Sequence, residues 1–237
     1  MLWDAATGRQ VAAIPSDSSA SLMINADTVA FSPDGKILAV GGESTTGLGA
    51  VWLWNAATGR QIGSVVTPAI LNGGVTSVAF SPDGDTLVAG GFTYTSGYGD
   101  SDSGESDGAI WLWNLASSPK AGRSLHTGGG PVTSVAISPD GTTLAVGADE
   151  GTARLWKVAT LQQASNPLTN SGPVSSVAFS PDGKTLAAAD GNGPARLWDV
   201  AYLQDPASYL CASAAQFVTP AEWTDHVQGI PYQAVCP

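Results

Sequence analysis

The chain has 237 residues, 43% of them apolar, with nine Lys plus Arg against twenty Asp plus Glu and a net charge of −11 at neutral pH. Length and apolar share suffice for a sizeable buried core and exclude a disordered chain. The acidic balance argues against nucleic acid and anionic membranes as partners, because both are bound through clustered Lys and Arg.

In chain order the first legible piece is MLWDAATGRQVAAI, in which Leu2-Trp3 and residues 11–14 read as two strands around an AATGRQ turn. A fuller unit follows, TVAFSPDGKILAVGG from Thr28, and recurs as VTSVAFSPDGDTLVAGG from Val75, VTSVAISPDGTTLAVGA from Val132 and VSSVAFSPDGKTLAAAD from Val174. Behind each stands an apolar Leu-Trp strand, ending at Asn55, Asn114, Lys157 and Asp199. Ser32, Ser81, Ser138 and Ser180 open the turns at steps of 49, 57 and 42 residues.

The alternation Val-x-x-Val-Ala-Phe predicts a strand with one buried face. In Ser-Pro-Asp-Gly, Pro presets φ near −65°, the aspartate (Asp34, Asp83, Asp140, Asp182) caps the local backbone and Gly takes positive φ. Thr-Leu-Ala-Val-Gly is the returning strand, with small residues for close approach of neighbouring backbones. The third strand carries a Trp (Trp54, Trp113, Trp156, Trp198, and Trp3 in the opening piece) read as a wedge between sheets. The stretch after AATGRQ is the fourth strand. Four short antiparallel strands cannot bury both faces of their own sheet, and radial stacking of such sheets makes a β-propeller.

The pairing of Ser-Pro-Asp-Gly with Leu-Trp-Asp or Leu-Trp-Asn, four times over in residues 1–200, resembles the WD40-repeat propellers. The resemblance implies an all-β propeller of four full blades plus a half blade, followed by a tail over residues 201–237. Two departures stand out. The family's Gly-His pair between blades is replaced by GGGPVTS and NSGPVSS, and only Asp4 and Asp199 keep the terminal Asp of the Trp strand. Blade rigidity is therefore expected to come from packing more than from the family's Trp–Ser/Thr–Asp–His hydrogen-bond chain.

The half blade at residues 2–14 leaves two readings. Either upstream blades of a longer reading frame complete a closed ring, or the chain closes on itself or on a second chain. Insertions fall between the second and third strands of the first two units, ESTTGLGA from Glu43 and FTYTSGYGDSDSGESDG from Phe92. Corresponding loops share one propeller face. Phe92, Tyr94, Tyr98, Asp100, Asp102, Glu105 and Asp107 are thus candidates for a partner-binding surface, with a plain solvated insertion as the alternative.

Calcium has little support, since an EF-hand loop needs Gly at its sixth position and Glu at its twelfth, where Glu105 and Trp111 stand. Gly183-Lys184-Thr185 imitates a phosphate loop but lacks the earlier Gly. No G-x-S-x-G, HExxH or Cys-His pairing surrounds a catalytic candidate. No cofactor and no catalytic or metal residue is expected, and no signal peptide or membrane span is visible, so the expected address is the cytoplasm.

In the tail, Thr219, Pro220 and Glu222 read as the capped start of a short helix packed on the propeller. Cys211 and Cys236 bracket it, bridged or free. The wording A-E-W, G-I-P-Y and terminal C-P resembles the tails of bacterial multidomain WD-repeat proteins that carry a STAND-class NTPase or another effector upstream. The resemblance implies a non-catalytic protein-docking scaffold or sensor in a signalling protein. A propeller hydrolase and a truncated product without independent function are the rival readings.

Overall fold

Each Ser-Pro-Asp-Gly phrase closes a hairpin with one recurring set of hydrogen bonds. The computed structural model describes residues 2–3, 5–12, 23–44, 48–66, 73–94, 106–116, 122–191, 193–206 and 209. The Ser32 amide donates to the Ile37 carbonyl, and the Gly35 amide to the Ser32 carbonyl, both at 2.8 Å. The Ser32 hydroxyl donates to Asp34 Oδ1 at 2.6 Å and accepts from the Ile37 amide at 2.9 Å, while the Lys36 amide donates to the same Oδ1 at 3.0 Å. Asp83, Asp140 and Asp182 repeat the set with Ser81, Ser138 and Ser180. The four glycines have φ between +70° and +79°, a region that strains any residue with a Cβ.

These bonds fix the ionised carboxylates. The Ser32 hydroxyl, then the Lys36 amide, pull Asp34 down to about 2. Asp83 and Asp182 are lowered by the equivalent serines and amides; at Asp140 burial pushes upward but Ser138 and Thr142 outweigh it. A pKa depressed on folding gives stabilisation that is complete above the unfolded value of ~3.9 and lost as the pH falls through the folded one. The urea midpoint of the native chain should therefore exceed that of a variant with all four aspartates changed to Asn by a margin constant above pH ~4 and shrinking toward pH ~2. A margin unaffected by pH across that window would show that the carboxylate charge is irrelevant to the turns.

Between the turns, β1 (Leu2–Trp3) and β2 (Gln10–Ala12) form a two-stranded hairpin. Three four-stranded antiparallel sheets follow in simple sequential order. The first blade is β3 (Met23–Phe31), β4 (Ile37–Ser44), β5 (Gly49–Asn55) and β6 (Gln61–Val66). The second is β7 (Val75–Phe80), β8 (Thr86–Tyr94), β9 (Ser106–Asn114) and β10 (Gly122–His126). The third is β11 (Val132–Ile137), β12 (Thr143–Ala148), β13 (Thr152–Lys157) and β14 (Leu168–Thr169). Among the described residues the fourth blade holds three strands, β15 (Val174–Phe179), β16 (Thr185–Asp190) and β17 (Arg196–Asp199).

The core lies between blades. Ala39, Val51 and Leu53 of the first blade pack with Val75, Val78, Leu87, Trp111 and Trp113 of the second. Val88, Ile110 and Leu112 then meet Val132, Val135, Leu144 and Trp156, and Ala145 and Leu155 meet Val174, Val177 and Leu186. A fully buried Leu such as Leu87 or Leu144 contributes about 1.5–3 kcal/mol. Hydroxyls stitch the innermost strands: the amides of Val78, Val135 and Val177 donate to Thr28, Ser77 and Ser134 of the preceding blade at 3.1–3.2 Å. Thr76 and Thr133 donate in turn to the Val132 and Val174 carbonyls of the following blade at 2.6 and 2.5 Å.

Among the described residues the fourth blade has three strands, and after Asp199 the chain turns through a 3-10 segment, Ala201–Leu203. Trp3, expected as a wedge, is 59% exposed, whereas Trp54 and Trp113, in the middle of four-stranded sheets, are each 2% exposed; β1 and β2 form a two-stranded sheet of their own. Asn at the end of the Trp strand caps the following turn as Asp199 does. Asn55 Oδ1 accepts from the Ala57 and Thr58 amides, and Asn114 Oδ1 from Ala116, as Asp199 Oδ1 does from Ala201. At Lys157 no such acceptor exists, and Leu161 takes φ +56° where Gly59 has +63°.

Among the described residues the indole N–H groups of Trp54, Trp111 and Trp156 are buried without a hydrogen-bond partner, so apolar packing holds those rings. The helix expected from Thr219, and Cys211 and Cys236, lie outside the described residues.

Candidate interaction surface

The second insertion extends its hairpin before it becomes a loop. β8 and β9 have nine residues each where β12 and β13 have six, and their ladder continues through Phe92↔Gly108, Thr93↔Asp107 and Tyr94↔Ser106. The end of the hairpin thus stands beyond the blade on the side opposite the Ser-Pro-Asp-Gly turns. Its base is tied down. The Phe92 amide donates to the Gly74 carbonyl at 3.1 Å, the Gly108 amide to Gly129 at 2.9 Å and the Thr127 hydroxyl to the Gly108 carbonyl at 3.1 Å.

Phe92 and Tyr94 share one face of the hairpin, as residues two apart on a strand must. Their rings meet edge to face at 5.3 Å and 76°. Phe92 is half-buried over Gly74, while Tyr94 is 50% exposed. Asp107, opposite the buried Thr93, belongs to the other face of the ladder, so the structure separates it from the aromatic pair. Tyr98, Asp100, Asp102 and Glu105 lie outside the described residues.

Sequence reading missed an adjoining groove. It is open, about 620 Å³, and lined by Thr127, Gly128, Arg154, Gln163, Ser165 and Asn166 among others. Arg154 is fixed by Glu150 at 2.6 Å, and the Glu150 carboxylate also accepts from the Thr152 hydroxyl and the Gly130 amide. Burial pushes Glu150 upward, but the Thr152 hydroxyl, the Gly130 amide and Arg154 together bring it below the ordinary range. Neighbouring Asp149 is raised by burial and by the Glu150 charge.

The groove exists because the fourth strand of this blade is cut to Leu168–Thr169, leaving residues 162–167 irregular. The Asn166-Pro167 pair was the legible signal, as such dipeptides mark loops. Since Thr127 reaches both the groove and the hairpin base, the two form one continuous surface. Its chemistry is that of hydrogen bonding beside one exposed aromatic ring. Among the described residues no group of three His, Cys, Asp or Glu side chains is placed to hold a metal ion, and no helix is long and apolar enough to cross a membrane.

Comparison with known proteins agrees with this architecture. The family description "WD domain, G-beta repeat" matches residues 67–114, 121–157 and 162–199, together a little over half of the chain. Two relatives, each a guanine nucleotide-binding protein subunit beta, come from Oryza sativa subsp. indica and subsp. japonica. Each is 38% identical over 61 residues, 26% of this chain and 16% of the relative's length. The matched segments run from the second blade to the last Trp strand, the same repeats whose turns and junctions are described above, and the chain belongs to the WD domain, G-beta repeat family.

Proposed function

We propose that this chain is a non-catalytic scaffold that holds a protein partner on the face carrying the β8–β9 hairpin. One observation carries the reading: a tethered hairpin raises Tyr94 beside a polar groove, on blades whose own cores are closed. WD40 repeats generally mediate protein–protein interaction, and exposed aromatic side chains are the residues most often found as anchors in such interfaces. An extended peptide suits the groove, with Gln163 and Asn166 offering amides and Arg154 a fixed cation. The net charge of −11 supports a protein partner over nucleic acid or membrane.

We further propose that the chain is the sensor or docking end of a larger cytoplasmic bacterial signalling protein with an NTPase or other effector upstream, a reading supported by the likeness of its closing residues.

The test is site-specific photocrosslinking in cells. A photoreactive residue at Tyr94 should trap a defined partner, and one at Pro139, in a turn on the opposite side, should not. Replacing residues 95–105 by a short Gly-Ser turn together with Tyr94→Ala should lower capture at Asn166 at least tenfold. Equal capture from both sides, or capture indifferent to that replacement, would overturn the assignment of the face.

A further inference from the structure

Charge is divided between the two ends of the blades. Among the described residues of the four blades, Lys36, Arg60, Lys157 and Lys184 stand in or beside turns at the Ser-Pro-Asp-Gly end, interleaved with the turn aspartates. Arg123 reaches the Ala159 carbonyl of another such turn. At the opposite end the same blades present two arginines and no lysine, and both arginines are engaged, Arg154 with Glu150 and Arg196 with the Thr169 carbonyl. Glu43, Asp107 and Asp149 stand at that end without an ion pair among the described residues. The stretch between β8 and β9 adds Asp100, Asp102 and Glu105 in sequence. The end that carries the hairpin and the groove is therefore the anionic one.

Within that end the side chains converge on the second junction. A methyl on Gly90 would meet Val132 of the third blade, and residues two apart on a strand share a face, so Phe92 and Tyr94 look toward the third blade as well. There β12 turns into β13 through Asp149, Glu150 and Gly151. A floor of three glycines, Gly128 to Gly130, joins the two, tied to the hairpin by the Gly108 amide on the Gly129 carbonyl. A methyl on Gly129 would strike the Glu150 carboxylate and Arg154, and one on Gly130 would strike Asp149 Oδ1, whereas one on Gly128 would meet nothing within 4 Å. The floor is thus bare where it lines the groove and walled by carboxylates where it leaves it. Glu150 is committed to Arg154, the Thr152 hydroxyl and the Gly130 amide. Asp149 is exposed, and among the described residues no cation stands beside it. Burial and the Glu150 charge both raise its pKa, so its ionised form gains from a cation brought alongside.

Taking this face as the docking side, as proposed above, we infer that its occupant is an extended basic segment of the partner protein, with one Lys or Arg beside Asp149 and another over the Tyr94 ring. The main chain of the segment runs along Gln163, Ser165 and Asn166, whose side chains offer donors and acceptors in the groove. An exposed aromatic ring attracts a cation through its negative face, and Tyr94 is 50% exposed. Arg154 does not oppose the arrangement, because Glu150 already matches its charge. An acidic segment would instead face Asp149 with no free cation beside it, and like charges set against each other exclude partners. The overall charge of −11 adds attraction for a basic partner at long range.

The test is fluorescence anisotropy on the full 237-residue chain with short capped peptides that carry Arg, Gln or Glu at the same three positions. The Arg peptide should bind about tenfold more tightly than the Gln peptide, with an affinity that falls as salt is added, and the Glu peptide more weakly than either. Asp149→Asn, which keeps the shape of the side chain, should lower the Arg peptide's affinity about fivefold, and Tyr94→Ala about as much. Asp85→Asn, at an exposed site of the turn end, should leave it unchanged, and all three variants should keep the native circular dichroism spectrum. Bound Arg peptide should shift the amide resonances of Gly128 and Asn166 and not that of Gly35. Equal affinity for the three peptides, no binding by any of them, or tightest binding of the Glu peptide overturns the inference. So do equal losses for Asp149→Asn and Asp85→Asn, which report only the general field of an acidic protein. A crosslink from Tyr94 to a partner segment without Lys or Arg would leave the face standing and its basic occupant refuted. Failure of the face itself shows as no crosslink at Tyr94, whatever the peptides do.

Discussion

Trp113→Ala should destabilise the chain by roughly 3–5 kcal/mol, the range for removing a fully buried Trp, whereas Trp3→Ala should stay within about 0.5 kcal/mol, as exposed substitutions do. Trp113 is 2% exposed and packs in the first junction with Leu53, Val75 and Leu87. Its ladder partners are Leu87 on β8 and Gly122 on β10, and a methyl on Gly122 would come within 2.6 Å of the indole nitrogen. The pocket is thus shaped to the indole by a glycine. Blades contact only their neighbours, so the loss concentrates in the second blade and its junctions before it spreads. Urea titration gives the magnitude, and hydrogen exchange should show β7–β10 opening while β15–β17 keep their protection. A loss below about 1 kcal/mol would mean that the junction repacks, against the cost expected for a buried aromatic.

That contrast between two Trp residues in nearly identical sentences, LWDAATGRQ and LWNAATGRQ, shows what a sequence can and cannot carry. The Ser-Pro-Asp-Gly turns were legible in full because every bond in them joins residues at most five positions apart. Trp3 lies in a two-stranded sheet and Trp113 inside a four-stranded one packed on its neighbour, and that difference is made by residues outside either phrase. The glycines were legible in kind and only partly in role. Gly91 answers to backbone, a methyl there striking the Gly74 carbonyl, but adjacent Gly90 answers to two valine side chains 42 and 45 positions on. At the candidate surface the hairpin's existence followed from its length, whereas the division of Phe92 and Tyr94 from Asp107 followed from where the ladder ends. Arg154 sits in a strand whose text matches its siblings, and only the shortened strand after it turns its surroundings into a groove.

Gly90→Ala should cost about 1–3 kcal/mol, the range for forcing one carbon into a packed core, at a position that Gly41 and Gly147 repeat in the other two internal junctions. The added methyl would sit 2.5 Å from Val132 Cγ1 and 2.6 Å from Val135 Cγ1, both on β11, which is also held to the second blade by the Thr76–Val132 and Ser77–Val135 hydrogen bonds. Relief requires either valine to leave its rotamer or β11 to move outward and stretch those bonds. Val132→Ala alone should cost about 2 kcal/mol, from two buried methyls and the space they leave. Together the two changes should cost clearly less than their sum, since Val132→Ala removes the Cγ1 that the methyl added by Gly90→Ala would strike. A coupling of at least about 1 kcal/mol in the double-mutant cycle is expected for residues in direct contact. Simple additivity would mean that the blades adjust by moving apart, and that glycine is not what sets their spacing.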